Sequence, residues 1–270
     1  DLKGKLLESI GSGAAGFIDG DYSIAQFSRP QGMEISADGR KLYVADRENH
    51  AIRAIDLESK LVSTIAGTGE PTNRFISGFG EQTQLASPWD LLVIEDRLFI
   101  AGAGRHQIWD LELESGWLGL FAGSGREGIE DGARLLATLA QPSALASDGQ
   151  NIYFADSESS ALRKIQLTEK GNVETLVGTG LFAWGDEVGA LDVTQLQHPV
   201  GLESLGDTLY VADTYNHRIK SVNLTTGESR YVAGSGKPGL ADGYGTISEM
   251  NEPSGLSAVG SLLYLSLIHI

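Results

Sequence analysis

The stretch Tyr43-Val44-Ala45-Asp46-Arg47-Glu48-Asn49-His50 returns later in the chain as Tyr210-Val211-Ala212-Asp213-Thr214-Tyr215-Asn216-His217. Each copy of the pattern follows a proline and a short apolar run. The prolines that open the copies are Pro30, Pro88, Pro142, Pro199 and Pro253. A strand-rich unit that recurs about every 50 residues is the sequence signature of a β-propeller.

Each copy of the repeat predicts four short strands. In the first copy, Lys41–Ala45 is rich in β-branched and aromatic residues, and Ala51–Asp56 alternates apolar with polar residues. Asp38-Gly39 between two apolar runs is a strong hairpin signal. Four antiparallel strands joined by short turns make one propeller blade. Complete blades are therefore predicted at residues 30–67, 88–123, 142–178 and 199–234.

The two ends of the chain carry incomplete copies of the repeat. Residues 1–13 match the end of a preceding blade, with Asp1-Leu2 ending its third strand and Leu6 to Gly13 forming its fourth. Residues 253–264 match the start of a truncated blade. Residues 265–270 depart from the pattern and are expected to be a non-native tail. One all-β propeller domain is therefore predicted over residues 1–264.

Composition excludes several classes of function. The net charge of −16 argues against nucleic-acid binding, which relies on Lys and Arg to neutralise phosphates. The chain has no cysteine, which removes thiolate chemistry and Cys-ligated zinc from this segment. No apolar run reaches the length of about 18 residues that a membrane span needs. We expect a soluble protein, with the cytoplasm favoured over other compartments, and no cofactor.

Several motifs resemble those of a known family in more detail than a shared propeller fold would require. Tyr43–Ile52 and Tyr210–Ile219 resemble the NHL repeat. Three longer stretches are similar to the propeller of the family that joins a thioredoxin-like domain to NHL repeats. They are Ser87–Leu91 with Gly104–Trp109, Tyr153–Ser160, and Leu196–Pro199 with Ala212–His217. The resemblance implies a six-bladed propeller in the parent protein and an upstream thioredoxin-like domain. It implies no catalytic residues within the propeller.

Three histidines could suggest a metal site, because His50, His106 and His217 recur at one repeat position. Equivalent turns of adjacent blades are expected to lie on the order of 10 Å apart, given the spacing of neighbouring strands. Zinc requires its nitrogen ligands at about 2 Å. We therefore predict that the histidines are structural turn residues and that Ser160 fills the same position in another blade.

Three aspartates end the second strand of their blades. Asp46, Asp156 and Asp213 are predicted to accept backbone N–H bonds of the tight turn that follows each of them. Acid–base catalysis needs two carboxylates close together, and separate blades keep these apart. Gly102 replaces the aspartate in the second blade.

A candidate interaction surface comprises cations and tryptophans. Arg53, Arg163 and Lys220 share one position early in the third strand, where Trp109 stands in the second blade, and Trp89 and Trp117 belong to that same blade. One interpretation is a basic, aromatic rim for an acidic partner, because clustered Trp can mark a binding hot spot. The alternatives are solvated strand positions for the cations and buried packing for the tryptophans.

Two functions remain open from the sequence. The first is a non-catalytic interaction or scaffold propeller that binds a protein or peptide and serves a thiol-redox function carried by the upstream domain. The second is a propeller enzyme of the lyase, lactonase or sugar oxidoreductase type. A propeller that binds RNA is disfavoured by charge. Fold alone does not decide between them.

Overall fold

The regular secondary structure is almost entirely antiparallel strand in a computed structural model that describes residues 5–74 and 76–267. Its helices within those ranges are single 3-10 turns. These turns are Arg47–Asn49, Gly80–Gln82, Ala103–Arg105, Ser157–Ser159, Thr214–Asn216 and Gly245–Ile247. Within the described ranges, no helix has the length and apolar run that a membrane crossing requires.

The strands form four large sheets and one hairpin, which we call blades 1 to 4 and the last hairpin. Blade 1 contains Gly20–Asp21 (β1), Pro30–Ile35 (β2), Lys41–Asp46 (β3), Ala51–Asp56 (β4) and Leu61–Ala66 (β5). Blade 2 contains Gly78–Phe79 (β6), Pro88–Ile94 (β7), Arg97–Gly102 (β8), Gln107–Glu112 (β9) and Trp117–Ala122 (β10). Blade 3 contains Gly132–Ala133 (β11), Pro142–Ser147 (β12), Asn151–Asp156 (β13), Ala161–Gln166 (β14) and Asn172–Val177 (β15). Blade 4 contains Gly201–Leu205 (β16), Thr208–Asp213 (β17), Arg218–Asn223 (β18) and Glu228–Ala233 (β19), and the last hairpin contains Pro253–Val259 (β20) and Leu262–Leu267 (β21).

The sequence prediction of an all-β propeller with four blades of antiparallel strands is confirmed. The prediction of four strands in every blade is wrong, because blades 1 to 3 each have a fifth, two-residue outer strand. In blade 1, Gly20 of β1 pairs with Val62 of β5, and in blade 3, Gly132 of β11 pairs with Val173 of β15. Gly20 and Gly132 have φ values of 137° and 129°, a conformation that glycine adopts readily. This conformation lets the connection turn and run beside the fourth strand.

The incomplete ends differ from the expected pattern. The structure assigns no strand to residues 6–13, and the expected partner at Asp1-Leu2 lies outside the described residues. Leu265–Leu267 belongs to β21, in which Leu265 pairs with Leu256. Residues 268–270 lie outside the described residues, so a non-native tail stays a prediction.

The chain divides into two compact units, each with its own apolar core. Unit 1 contains residues 1–100 and 109–119, and unit 2 contains residues 101–108 and 120–270. In unit 1, Tyr22, Val44 and Val62 pack in one cluster. In unit 2, Leu162 and Val211 belong to a larger cluster that spans blades 3 and 4. Each large aliphatic side chain buried in this way contributes about 1.5–3 kcal/mol to folding.

The first strands of successive blades approach each other closely at glycines. In unit 2, a Cβ on Gly201 of β16 would lie 1.9 Å from the carbonyl oxygen of Ser254 in β20. In unit 1, a Cβ on Gly32 of β2 would lie 2.6 Å from the Cα of Asp90 in β7. These approaches leave no room for a side chain, which explains the glycine that stands two residues after Pro30 and Pro199.

Candidate functional site

The aspartates and cations of the repeat form a buried ionic clasp in each of three blades. In blade 1, Arg53 of β4 donates from Nη1 to Asp46 Oδ2 at 2.8 Å and from Nη2 to Asp19 Oδ1 at 2.7 Å. Asp19 lies in the connection before the blade, and it also accepts a bond from the backbone N–H of Thr64 at 3.0 Å. The clasp therefore fastens the long connection to strands β3, β4 and β5.

Blades 3 and 4 repeat the clasp with small changes. Arg163 in blade 3 bonds Asp156 at 2.9 Å and Asp131 at 3.0 Å. In blade 4, Lys220 Nζ lies 2.7 Å from Asp213 and 2.9 Å from the connection residue Asp186. The partners of the aspartates differ from the prediction. In each aspartate, the carboxylate oxygen that does not contact the cation accepts a bond from a backbone N–H of the preceding connection, not of the following turn. The donors are Ser28, Ala140 and Gln197.

Burial of the cations corrects the predicted interaction surface. The side chains of Arg53, Arg163 and Lys220 are fully buried, and so is Trp109. Each cation reaches across its blade to two carboxylates, so it is neither solvated nor available to a partner. These four residues therefore leave the candidate surface.

Burial of Asp156 raises the pKa of its carboxyl to about 6, although the charge of Arg163 opposes that rise.

The histidines of the repeat form a second structural device, which we call a latch. Each histidine follows a 3-10 turn with positive φ, and its Nδ1 accepts a bond from the residue before the next repeat's proline. The distances are 3.0 Å for His50 to Ser87 N, 3.1 Å for His106 to Gln141 N and 3.2 Å for His217 to Glu252 N. Ser160 acts in the same way, since its Oγ accepts from His198 N at 3.2 Å.

The latch requires a neutral imidazole, because a protonated ring has no acceptor nitrogen. Burial lowers the pKa of His50 and His106, which favours this neutral form. Within residues 5–74 and 76–267, no group of three or more His, Cys, Asp or Glu side chains has the arrangement to hold a metal ion. The latch geometry thus accounts for the recurrence of histidine at this repeat position.

The latch makes a specific stability prediction. Replacing His106 by Ala should lower the free energy of unfolding by about 1 kcal/mol, since one neutral hydrogen bond to a backbone N–H is lost. Replacing His106 by Ser should cost less, because Ser160 supplies the same acceptor in blade 3. Urea unfolding of the two variants measures the difference, and equal losses would contradict the latch.

The same residue predicts a pH dependence. Because the pKa of His106 is lower in the folded protein than the ordinary value of about 6.5, the unfolded chain takes up the proton first as the pH falls. The stability from the latch is present above about pH 6.5 and is lost as the pH falls through the folded pKa. We expect the advantage of wild type over His106→Ser to shrink between about pH 7 and pH 5 in urea titrations. A pH-independent difference would refute this expectation.

The two remaining candidate tryptophans lie in unit 1 and have different environments. Trp89 is half-buried, and the guanidinium of Arg47 lies 5.2 Å from its ring centroid. Trp117 is partly exposed and packs edge-to-face on Phe79 at 5.7 Å. Trp89 therefore stays a candidate contact, with Arg47 rather than Arg53 as its basic neighbour.

Unit 2 exposes an aromatic loop that the repeat pattern does not predict. The loop is Leu181–Trp184, in the connection between blades 3 and 4, and Phe182 and Trp184 are 81% and 65% exposed. Phe182 has a φ of 65°, a left-handed conformation that is an outlier for a bulky residue. Strained backbone of this kind is often associated with functional sites. Two exposed aromatic side chains on one short loop are an informative surface feature.

A second aromatic group adjoins residues that hydrogen-bond to Gly185, directly after the loop. Tyr215 stacks on His198 with ring centroids 4.6 Å apart, and Tyr215 is 49% exposed. The backbone N–H of Gly185, directly after the loop, donates to Leu196 O at 3.1 Å, and Asn216 Nδ2 donates to Gly185 O at 2.6 Å. We call Phe182, Trp184, His198 and Tyr215 the aromatic surface.

A sequence signal for this surface exists, but it lies outside the strands. An apolar residue stands six positions after four of the five recurring glycines, as Phe17, Ile129, Trp184 and Leu240, whereas Asn73 follows Gly67 at that spacing. Strand periodicity predicts apolar residues in the core of the sheets and says nothing about the connections. Trp184 stands between Gly180 and Gly185, outside any predicted strand, and this position would have indicated that its side chain is exposed.

Comparison with known proteins places the chain among β-propellers. The NHL repeat model matches residues 27–55. NHL repeat-containing protein 2 of Homo sapiens is 40% identical, with 97% of this chain and 41% of that protein covered. Protein SUPPRESSOR OF QUENCHING 1, chloroplastic, of Arabidopsis thaliana is 39% identical, with 91% of this chain and 24% of that protein covered. The chain thus spans less than half the length of either relative.

A solved structure supports the fold alone. A chain in the crystal structure of a nidogen/laminin complex superposes with a TM-score of 0.61 at 15% identity, covering 89% of this chain and 72% of that chain. At that identity, the similarity concerns the arrangement of strands and carries no residue roles.

Proposed function

This chain belongs to the NHL-repeat β-propellers, and we propose that it is a non-catalytic interaction domain that binds a protein or peptide. The observation that carries the proposal is the aromatic surface of unit 2. Phe182 and Trp184 project from a loop, and their exposure costs free energy that a partner would recover by covering them. Aromatic anchors of this kind dominate the binding energy of protein interfaces.

The polar residues of the repeat favour binding over catalysis. A propeller enzyme of the lyase, lactonase or oxidoreductase type would need histidines or carboxylates free to meet a substrate. In the clasps, Asp156 and its counterparts are buried against a cation. In the latches, His106 and its counterparts accept a backbone N–H bond. The aspartates and histidines that recur with the repeat are therefore committed to holding the connections in place.

We further propose that the parent protein is a six-bladed, thioredoxin-like NHL-repeat protein of the cytoplasm. The support is the resemblance of this chain over 97% of its length to NHL repeat-containing protein 2. In such a protein the thiol chemistry would reside outside this cysteine-free chain, and the propeller would recruit the protein on which it acts. The complete gene sequence tests this point, and an upstream region without a Cys-x-x-Cys motif would overturn the redox assignment.

Co-isolation from the native host tests the interaction function. The full-length protein would carry Phe182→Ser with Trp184→Ser, and its matched control would carry Leu57→Ser, which alters an exposed apolar residue of unit 1. We expect a defined set of proteins to be lost with the double variant and retained with the control, as quantified by mass spectrometry. Equal recovery from wild type, double variant and control would contradict an interaction at the aromatic surface.

A further inference from the structure

We propose that the aromatic surface continues into an acidic groove that binds a basic peptide segment of a partner protein. The segment would carry Arg or Lys beside apolar residues. This inference rests on the proposed function and names the class of partner.

The groove lies directly beside the aromatic loop. It is a cavity of about 440 Å³ in unit 2, with Leu181 of the loop on one side. Ile129 adds a second apolar side chain, and Glu127 and Glu130 add carboxylates. A single space next to the loop thus offers apolar side chains and negative charge together.

Backbone contacts place a further carboxylate residue beside the groove. Glu127 of the groove bridges to Leu139, and the backbone N–H of Glu158 donates to the carbonyl oxygen of the next residue, Ala140, at 3.0 Å. Glu158 also stands two residues before Ser160, whose Oγ accepts a hydrogen bond from the backbone N–H of His198 at 3.2 Å. Glu158 therefore belongs to a turn that adjoins both the groove and His198 of the aromatic surface.

Cations near the groove do not balance these carboxylates. Arg126 lines the groove, is 74% exposed and lies 4.0 Å from Glu130, and Arg105 directly precedes His106. Glu127, Glu130 and Glu158 outnumber these two guanidinium groups. The excess has the sign of the whole chain, whose net charge is −16. Complementary charge steers a basic partner to such a surface and repels an acidic one.

The exposed rings suit the same ligand. A guanidinium or ammonium group over the face of Trp or Tyr is attracted by the negative face of the ring, and the attraction is stronger when water is excluded. His198 covers one face of Tyr215, and the residue keeps 49% of its surface open. The apolar neighbours of the basic residue would cover Phe182 and Leu181. Both halves of the site thus recognise one segment that is cationic and apolar.

Selection from a phage-displayed library of random nonapeptides on the full-length protein tests this assignment. We expect enriched peptides to contain Arg or Lys next to aromatic or aliphatic residues and to lack Asp and Glu. Synthetic copies should bind about tenfold more weakly to Glu127→Gln with Glu158→Gln and to Trp184→Ser, a factor that corresponds to about 1.4 kcal/mol. Their affinity for Leu57→Ser should equal their affinity for wild type, and raised salt should weaken their binding.

Each other outcome overturns the basic-peptide assignment. Three such outcomes are possible. The enriched peptides are acidic or uncharged, the peptides bind Trp184→Ser as well as they bind wild type, or no peptide is enriched at all. The co-isolation experiment decides the interaction function separately. Partners lost from the Phe182 and Trp184 double variant, combined with no basic enrichment, would leave the proposed function standing and remove this inference alone.

Discussion

Replacing Arg163 by Met should lower the free energy of unfolding by about 3–5 kcal/mol, because it leaves the buried carboxylate of Asp156 without its cation. The side chains of Arg163 and Asp156 are both fully buried, and their atoms lie 2.9 Å apart. Arg163 also donates to the carbonyl oxygen of Thr138 at 2.7 Å, so the substitution strands a backbone acceptor as well. Urea unfolding of variant and wild type measures the loss.

Two controls separate loss of the charge from loss of packing. Arg163→Lys should cost clearly less, because Lys220 fills the equivalent position in blade 4 and reaches both of its aspartates. Arg163→Met combined with Asp156→Leu should recover much of the loss, since an apolar pair can replace a buried ion pair. If Arg163→Met alone costs less than about 1 kcal/mol, a value typical of exposed ion pairs, the clasp does not stabilise the blade.

Replacing Trp109 by Ala should also lower the free energy of unfolding by about 3–5 kcal/mol, the usual cost of removing a large buried aromatic side chain. Trp109 is fully buried and stands where the other blades carry the clasp cation. Trp184→Ala is the matched control, since it removes the same ring from a site that is 65% exposed.

The control should change stability by less than about 0.5 kcal/mol, as most surface substitutions do. Urea titrations of both variants provide the comparison. A loss from Trp184→Ala as large as that from Trp109→Ala would show that the loop is part of the core, and the aromatic surface would no longer be a candidate binding site.

The repeat was enough to predict the blades, because strand alternation and turn residues are local signals. Lys41–Asp46 and Thr208–Asp213 form strands where the pattern places them. The short outer strands were missed because Gly20–Asp21 and Gly132–Ala133 have too few residues for any periodicity. Their pairing depends on how the connection returns to the blade, which only the three-dimensional arrangement reveals.

The environment of charged residues was harder to predict. Arg53 occupies a polar position in an alternating strand, and that pattern normally indicates exposure. A signal was nevertheless available, because Asp and a cation recur together at Asp46 and Arg53 and are absent together at Gly102 and Trp109. Paired recurrence of opposite charges indicates mutual contact, whereas a single charged position does not.

The central claim is that the clasps and latches hold the propeller together while the aromatic loop contacts a partner. Photo-crosslinking in living cells tests the partner contact most directly, with p-benzoyl-phenylalanine in place of Trp184 and, as the control, in place of Leu57 in the full-length protein. We predict a discrete crosslinked product from position 184 that is absent from position 57 and disappears when Phe182→Ser is added. No product from position 184, or the same product from both positions, would contradict the claim.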